Sequence, residues 1–235
     1  MNDNAPSSLR QQSARYPLSR RQPAAAQILE ILRDRIVRGD LMPGSRIIER
    51  EICAEMNISR TPLREALKLL ALDGLVELSQ NRGARVLPFT AEEALHLFEV
   101  LAGLEGLAAE LAVERLSPDA RAELSDMHEK MRNCYERKDR DAYFALNTAI
   151  HAAIVEAASN PILSSTHAAL MLRAKRGRYM AIMDPSRWSD AFQEHEALMQ
   201  AFANRDTAKA GTIWREHLIH TGETVADVLR DKASH

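Results

Sequence analysis

The chain has 235 residues, 46% of them hydrophobic, and a formal net charge of −2. That length can bury a sizeable core and suits two domains. No run approaches the ~18 apolar residues of a membrane span, and the opening M-N-D-N-A-P-S-S lacks the apolar core of a signal peptide, so a cytoplasmic protein without membrane contact is expected.

The net charge conceals an asymmetry. Residues 1–90 carry +4 and residues 91–235 carry −6. A basic part beside an acidic part fits one polyanion-binding domain joined to one with another task. All eight histidines lie after residue 95. The two cysteines, Cys53 and Cys134, fall in different expected domains and read as free thiols.

Residues 1–22, rich in Ser, Gln, Arg and Pro, read as a disordered tail. A first helix is expected over Ala24–Arg38, where Ile28, Ile31, Leu32 and Ile36 form an apolar stripe and Gly39 stops the helix. Met42-Pro43-Gly44 is a turn, and Glu49–Met56 a short helix. After the turn Asn57-Ile58-Ser59 comes S-R-T-P-L-R-E-A-L-K-L-L-A-L, Ser59–Leu72. Ser59 can cap this helix and Pro62 fits its first turn. At ~100° per residue, Arg60, Thr61, Arg64, Glu65 and Lys68 share one arc, and Leu63, Ala66, Leu67 and Leu70 the opposite one. An ordinary amphipathic surface helix has the same two arcs. The short helix and turn just upstream, however, complete a helix-turn-helix. Asp73-Gly74 ends the helix, and strands over Leu75–Leu78 and Ala84–Leu87, joined by Asn81-Arg82-Gly83, make a hairpin wing.

Residues 24–89 thereby resemble the winged helix-turn-helix of GntR-type bacterial transcription regulators. The resemblance rests on Gly39, Pro43-Gly44, Ile47, Glu49-Arg50-Glu51, Ser59 through Leu67, Leu70, Gly74-Leu75 and Gly83. It implies a DNA-binding set of Arg50, Ser59, Arg60, Thr61, Arg64, Arg82 and Gly83.

Leu87-Pro88-Phe89 links to the second part, and Thr90-Ala91-Glu92-Glu93 reads as a capping box. Helices are expected over 91–115, 119–137, 140–158, 162–183, 187–204 and 207–231. Ser117-Pro118, Asn160-Pro161, Asp184-Pro185-Ser186 and Asn204–Thr207 punctuate them. The expected fold is mainly α: an N-terminal winged helix-turn-helix over 23–87, a linker at 88–90 and a C-terminal antiparallel all-helical bundle over 91–231.

Within the bundle, Asn147 and His151 stand at i and i+4, while His195 and His217 lie mid-helix in Q-E-H-E-A-L-M and W-R-E-H-L. Three imidazoles and an amide oxygen from three helices can converge on a divalent ion such as Zn, Ni or Mn. Equally, a lone histidine near an apolar face is usually a hydrogen-bonded core residue. His220 competes with His217, and His96, His128, His167 and His235 read as structural or surface residues.

Residues 91–231 also resemble the all-helical FCD effector domain of the FadR-type branch of the GntR family, in its six-helix version. The matching text is Leu104-Glu105, Leu107-Ala108, Leu111-Ala112, Asn147…His151…Ala157…Asn160-Pro161, Glu194-His195, Asp206…Ala210 and His217-Leu218. The resemblance implies a divalent metal on Asn147, His151, His195 and His217, and a small carboxylate effector held with its help. Two departures stand out. Many members have Asp where this chain has Asn147, and many have an Arg near Leu101. The carboxylate clamp is therefore expected elsewhere, with Arg173, Arg176 and Arg178 as candidates.

These features point to a ligand-responsive repressor, a homodimer on a pseudo-palindromic double-stranded operator. Metal affinity is expected to fall as pH drops through the histidine range near ~6.5. A metal-dependent hydrolase-like enzyme is the reading from another class, opposed by the lack of a general base beside the ligands. A regulator with a metal-free acyl pocket is the third.

Overall fold

The computed structural model describes residues 23–79 and 83–233. The tail at 1–22, Arg82 at the expected wing tip and His235 lie outside them. The chain divides into two compact units that meet at Pro88 and Phe89.

In the first unit, α1 (Ala24–Arg38), α2 (Glu49–Met56) and α3 (Arg60–Leu72) accompany a three-stranded antiparallel sheet. Its strands are β1 (Arg46–Ile47), β2 (Val76–Ser79) and β3 (Gly83–Val86), in the order β1-β3-β2. The apolar arcs expected of α1 and α3 are the buried ones: Ile28, Leu32 and Ile36 pack with Leu63, Leu67 and Leu70 over Ile47, Val76 and Val86. Arg33 ties α1 to the end of α3 through two bonds to Asp73 Oδ2, at 2.9 and 2.6 Å. The strand β1 was absent from the sequence reading. It exists only through its pairing with β3, Ile47 opposite Ala84, a partner distant in the chain. Gly83 has φ +88, and a Cβ there would stand 2.2 Å from Ile47 O, so only glycine fits this close approach of β1 and β3.

The second unit consists, among the described residues, of six helices: α4 (Ala91–Arg115), α5 (Pro118–Glu136), α6 (Arg140–Ala157), α7 (Pro161–Met183), α8 (Pro185–Asn204) and α9 (Thr207–Ala233). Their starts follow the expected chemistry. Thr90, Ser117, Asp139, Asn160 and Asp184 each accept a backbone N–H of the first turn, a contribution of ~1 kcal/mol apiece. Prolines 118, 161 and 185 stand at the first helical position, where a missing N–H costs nothing. Helices α5, α7 and α8 therefore begin one or two residues before the bounds read from sequence.

Helices α4 and α9 pack along much of their lengths. The approach is close enough that a Cβ on Gly222 would stand 2.6 Å from Phe98 Cβ. No described helix is long and apolar enough to cross a membrane, and Cys53 and Cys134 are free thiols.

Candidate metal centre and nucleic-acid interface

The interior of the helical unit holds the histidines. His151 on α6, His195 on α8 and His217 on α9 are all buried, and one ring nitrogen from each lies within 4.8 Å of the others. Their ring centroids are 5.0–5.5 Å apart. Trp214, one turn before His217, contacts all three, stacking on His217 at 4.7 Å. His151 Nε2, both ring nitrogens of His195 and Asn147 Oδ1 are buried without a hydrogen-bond partner. Buried polar atoms are normally paired. A neutral imidazole has one acceptor nitrogen, so one nitrogen of His195 can stand with His151 Nε2 as an acceptor open to a cation, the three rings being close enough to share one.

The other ring nitrogens are fixed. His151 Nδ1 bonds Glu105 Oε2, and Glu105 Oε1 bonds His167 Nε2 at 2.9 Å. His217 Nδ1 bonds Glu194 Oε2 at 2.6 Å. A carboxylate behind a ligating imidazole sets its tautomer and raises its basicity. Burial, with the charge of Arg178 next, pushes the His151 imidazolium well below its usual range. Burial does the same for His195, where His217 is the next cause. His217 is pushed down to about 4, again chiefly by burial, against the opposing pull of Glu194. All three are therefore neutral at pH 7, the form that ligates. Burial thus moves proton competition for His217 below the usual histidine range.

The effector candidates separate. Arg178 is buried beside the imidazoles, and its charge acts on all three. Arg176 is also buried, but two residues along a helix point ~200° apart, and no interaction with the histidines is found for it. Arg173 is half-exposed and paired with Glu93, so it serves the surface of α4 and α7. Three residues escaped the sequence reading, Tyr143, Arg187 and Trp214, and Glu105 entered it only as part of the family match, without a role. Arg187 Nη2 reaches Glu194 Oε2 at 2.7 Å, His217 O at 2.9 Å and Thr221 Oγ1 at 3.1 Å. His167, read as structural, supports Glu105. His220 is exposed and bonds Glu194 Oε1 at 2.8 Å, outside the imidazole triad. Glu194, held by His217, Arg187 and His220 and pushed down to about 2, makes a poor general base.

In the first unit, Arg50, Ser59, Arg60, Thr61 and Arg64 are exposed. Ser59 occupies the N-cap of α3, yet its hydroxyl makes no cap bond. Arg64 Nε donates to both oxygens of Glu49 at 3.0 and 3.1 Å, so its guanidinium is held by α2. Gly83 is buried at the root of the wing, with no side chain to offer DNA. Its role is to let β1 and β3 meet. Arg46 and Arg85 face each other across β1 and β3, both exposed. Like charges in that register repel, and Arg85 Nη1 donates to Gly44 O at 2.6 Å.

Residues 24–86 match the family of bacterial regulatory proteins named gntR, and residues 96–220 match the FCD domain. The chain belongs to the GntR family. It is a DNA-binding transcription regulator with an FCD domain, and not an enzyme. Over 212 residues it is 26% identical to the transcriptional repressor RspR of Escherichia coli K12, covering 90% of this chain and 93% of that one. A regulator from Streptomyces ambofaciens is 30% identical over 192 residues, 80% of this chain and 78% of its own. The solved structure of E. coli McbR/YncC superposes with a TM-score of 0.73 at 23% identity, covering 92% of this chain and all of that one. This last likeness bears on the fold alone.

Proposed function

We propose that this GntR-family chain is a cytoplasmic, homodimeric repressor that changes its operator affinity when a small carboxylate binds a divalent ion on Asn147, His151, His195 and His217. The observation that carries the reading is the set of buried, unpartnered acceptors next to the buried Arg178. The ion would be Zn, Ni or Mn, ligands of borderline character suiting each, and it would supply a Lewis-acidic seat for the acid's oxygens. Glu105 and Glu194 orient the imidazoles, and the helical core excludes water. Repressor polarity is supported by the name of RspR and by that of a probable D-xylose utilization operon repressor from Paenarthrobacter nicotinovorans, 29% identical over 84% of this chain. Metal analysis of the purified protein, with gel-shift titrations with and without ion and small acids, tests it. Protein that carries no stoichiometric metal and gains no stability from Zn, Ni or Mn contradicts it.

The DNA contacts are proposed for Arg60, Thr61 and Arg64 on α3, with Arg50, Ser59, Arg46 and Arg85 on phosphates. An α3 N-terminus in the major groove presents these groups first. Arg64→Ala should cost roughly 1–3 kcal/mol in specific binding if its fork meets a guanine. Arg85→Ala should weaken all sequences alike and reduce the salt slope by ~1. Unchanged operator binding by an Arg60→Ala/Arg64→Ala double variant would overturn the recognition-helix assignment.

The homodimer is supported by Val100, Gly103 and Leu107, an exposed apolar stripe at helical spacing on α4. Two-fold assembly also provides two half-site contacts in place of one small footprint. Light scattering of the full chain should give about twice the 26.3 kDa chain mass, and Val100→Asp/Leu107→Asp should halve it. A wild-type monomer at micromolar concentration contradicts the assembly.

A further inference from the structure

Granted the metal reading above, the ion has to cross a wall of the helical bundle to reach its ligands. His151 and His195 are fully buried and His217 is 3% exposed. On the surface, a cleft of about 750 Å³ lies between α8 and α9.

The lining of this cleft is acidic. Asp190 and Glu194 stand one turn apart on α8, and Glu216, Glu223 and Asp227 follow one face of α9. Arg187 is the single guanidinium among the lining residues, so five carboxylates surround one fixed cation. Asp227 is paired with Arg230 at 2.8 Å. Asp190, Glu216 and Glu223 have no cationic partner among the described residues. Like charges one helical turn apart repel, so these stripes do not serve the stability of the helices that carry them.

An acidic face alone is ordinary on a helical surface. This one ends at the imidazole triad. Glu194 spans the wall: its Oε1 bonds the exposed His220 at 2.8 Å on the cleft side, and its Oε2 bonds His217 Nδ1 at 2.6 Å on the core side. Behind it, both ring nitrogens of the buried His195 and Nε2 of His151 are unpartnered. Two other sizeable clefts of this unit, one around His96 and Arg173 and one around Arg115 and Glu156, include no residue bonded to the triad.

We propose that the cleft between α8 and α9 is the entry route of the divalent ion: its acidic stripes collect the hydrated cation, and Glu194, between His220 and His217, is the gate through which it passes inward. A cleft lined by one sign of charge raises the local concentration of its counter-ion and the rate of arrival by roughly 10–10³-fold. Such steering acts on the association rate and weakens with salt.

Stopped-flow mixing of the metal-free full chain with zinc tests this. Tryptophan fluorescence reads uptake, because Trp214 contacts all three imidazoles, and mixing the zinc-loaded chain with chelator reads release. Asp190→Asn/Glu223→Gln/Asp227→Asn should slow uptake tenfold or more at low ionic strength and flatten its fall with added salt. Glu114→Gln/Glu123→Gln/Glu156→Gln removes as many exposed carboxylates from elsewhere on the unit and should leave uptake within twofold of wild type. Ala197→Phe/Thr224→Phe puts a ring on each wall of the cleft. It should slow uptake and release by the same factor and keep the zinc-induced rise in melting temperature, since a blocked route changes both rates whereas a lost ligand changes their ratio. Equal slowing by the two carboxylate triples overturns the route and leaves the metal site standing. So do uptake and release that the paired rings leave unchanged. Wild-type protein that takes up no zinc overturns the metal reading along with it.

Discussion

Lowering the pH of the metal-free protein from 7 to 4 should progressively unfold the helical unit. His217 is pushed down to about 4 in the folded chain, against ~6.5 in an unfolded one. Between those values the unfolded chain holds a proton that the folded chain lacks, so stability falls as pH falls through that window. At ~1.4 kcal/mol per pH unit, this one residue contributes about 3 kcal/mol of acid destabilisation. His151 and His195 are depressed further still and act with the same sign. Below the usual carboxylate range Glu194, held near 2, adds to it, because its folded form resists the proton that the unfolded form accepts. Domains are typically stable by only ~5–15 kcal/mol, so the melting temperature should fall steadily across this window. Thermal melts at half-unit steps check this. A melting temperature that does not change between pH 7 and 4.5 would mean that the imidazoles are not held neutral by burial. Saturating metal should move the acid transition to lower pH, since the ion and the proton compete for the same nitrogens.

His195→Ala should abolish metal binding and the stabilisation that comes with it. His195 is fully buried, and both of its ring nitrogens lack a protein partner. His151 and His217, by contrast, each have one nitrogen committed to a carboxylate. At a metal concentration 100 times Kd, binding stabilises the fold by about 2.7 kcal/mol, and the variant should show none of it. Ring removal from the core should lower stability by a further amount, which measurement in chelator separates from the metal effect. His220→Ala is the control: its ring is exposed and outside the triad, so it should leave the Zn- or Ni-induced shift in place. Retention of that shift by His195→Ala would show that the ion sits elsewhere.

Much of this protein was legible in one dimension because the signals are local. Apolar spacing marked α1 and α3, and Ser, Thr, Asn and Asp before Pro or Glu marked the helix starts, where side chain and backbone meet within three residues. The i, i+4 pair Asn147 and His151 was readable for the same reason. The folded chain decided the rest, since it depended on residues far apart in sequence. The strand β1 exists only opposite β3, and Gly83 proved to be a packing requirement at that crossing. Among the arginines of α7, spacing could not say which faces inward. Packing buried Arg178 beside the histidines and left Arg173 to pair with Glu93 at the surface. Glu105 orients His151 across 46 residues and Arg187 reaches His217 across 30. The order Asn, His, His, His named the candidate ligands, but the neutral state of the three imidazoles comes from desolvation, which only the assembled core imposes.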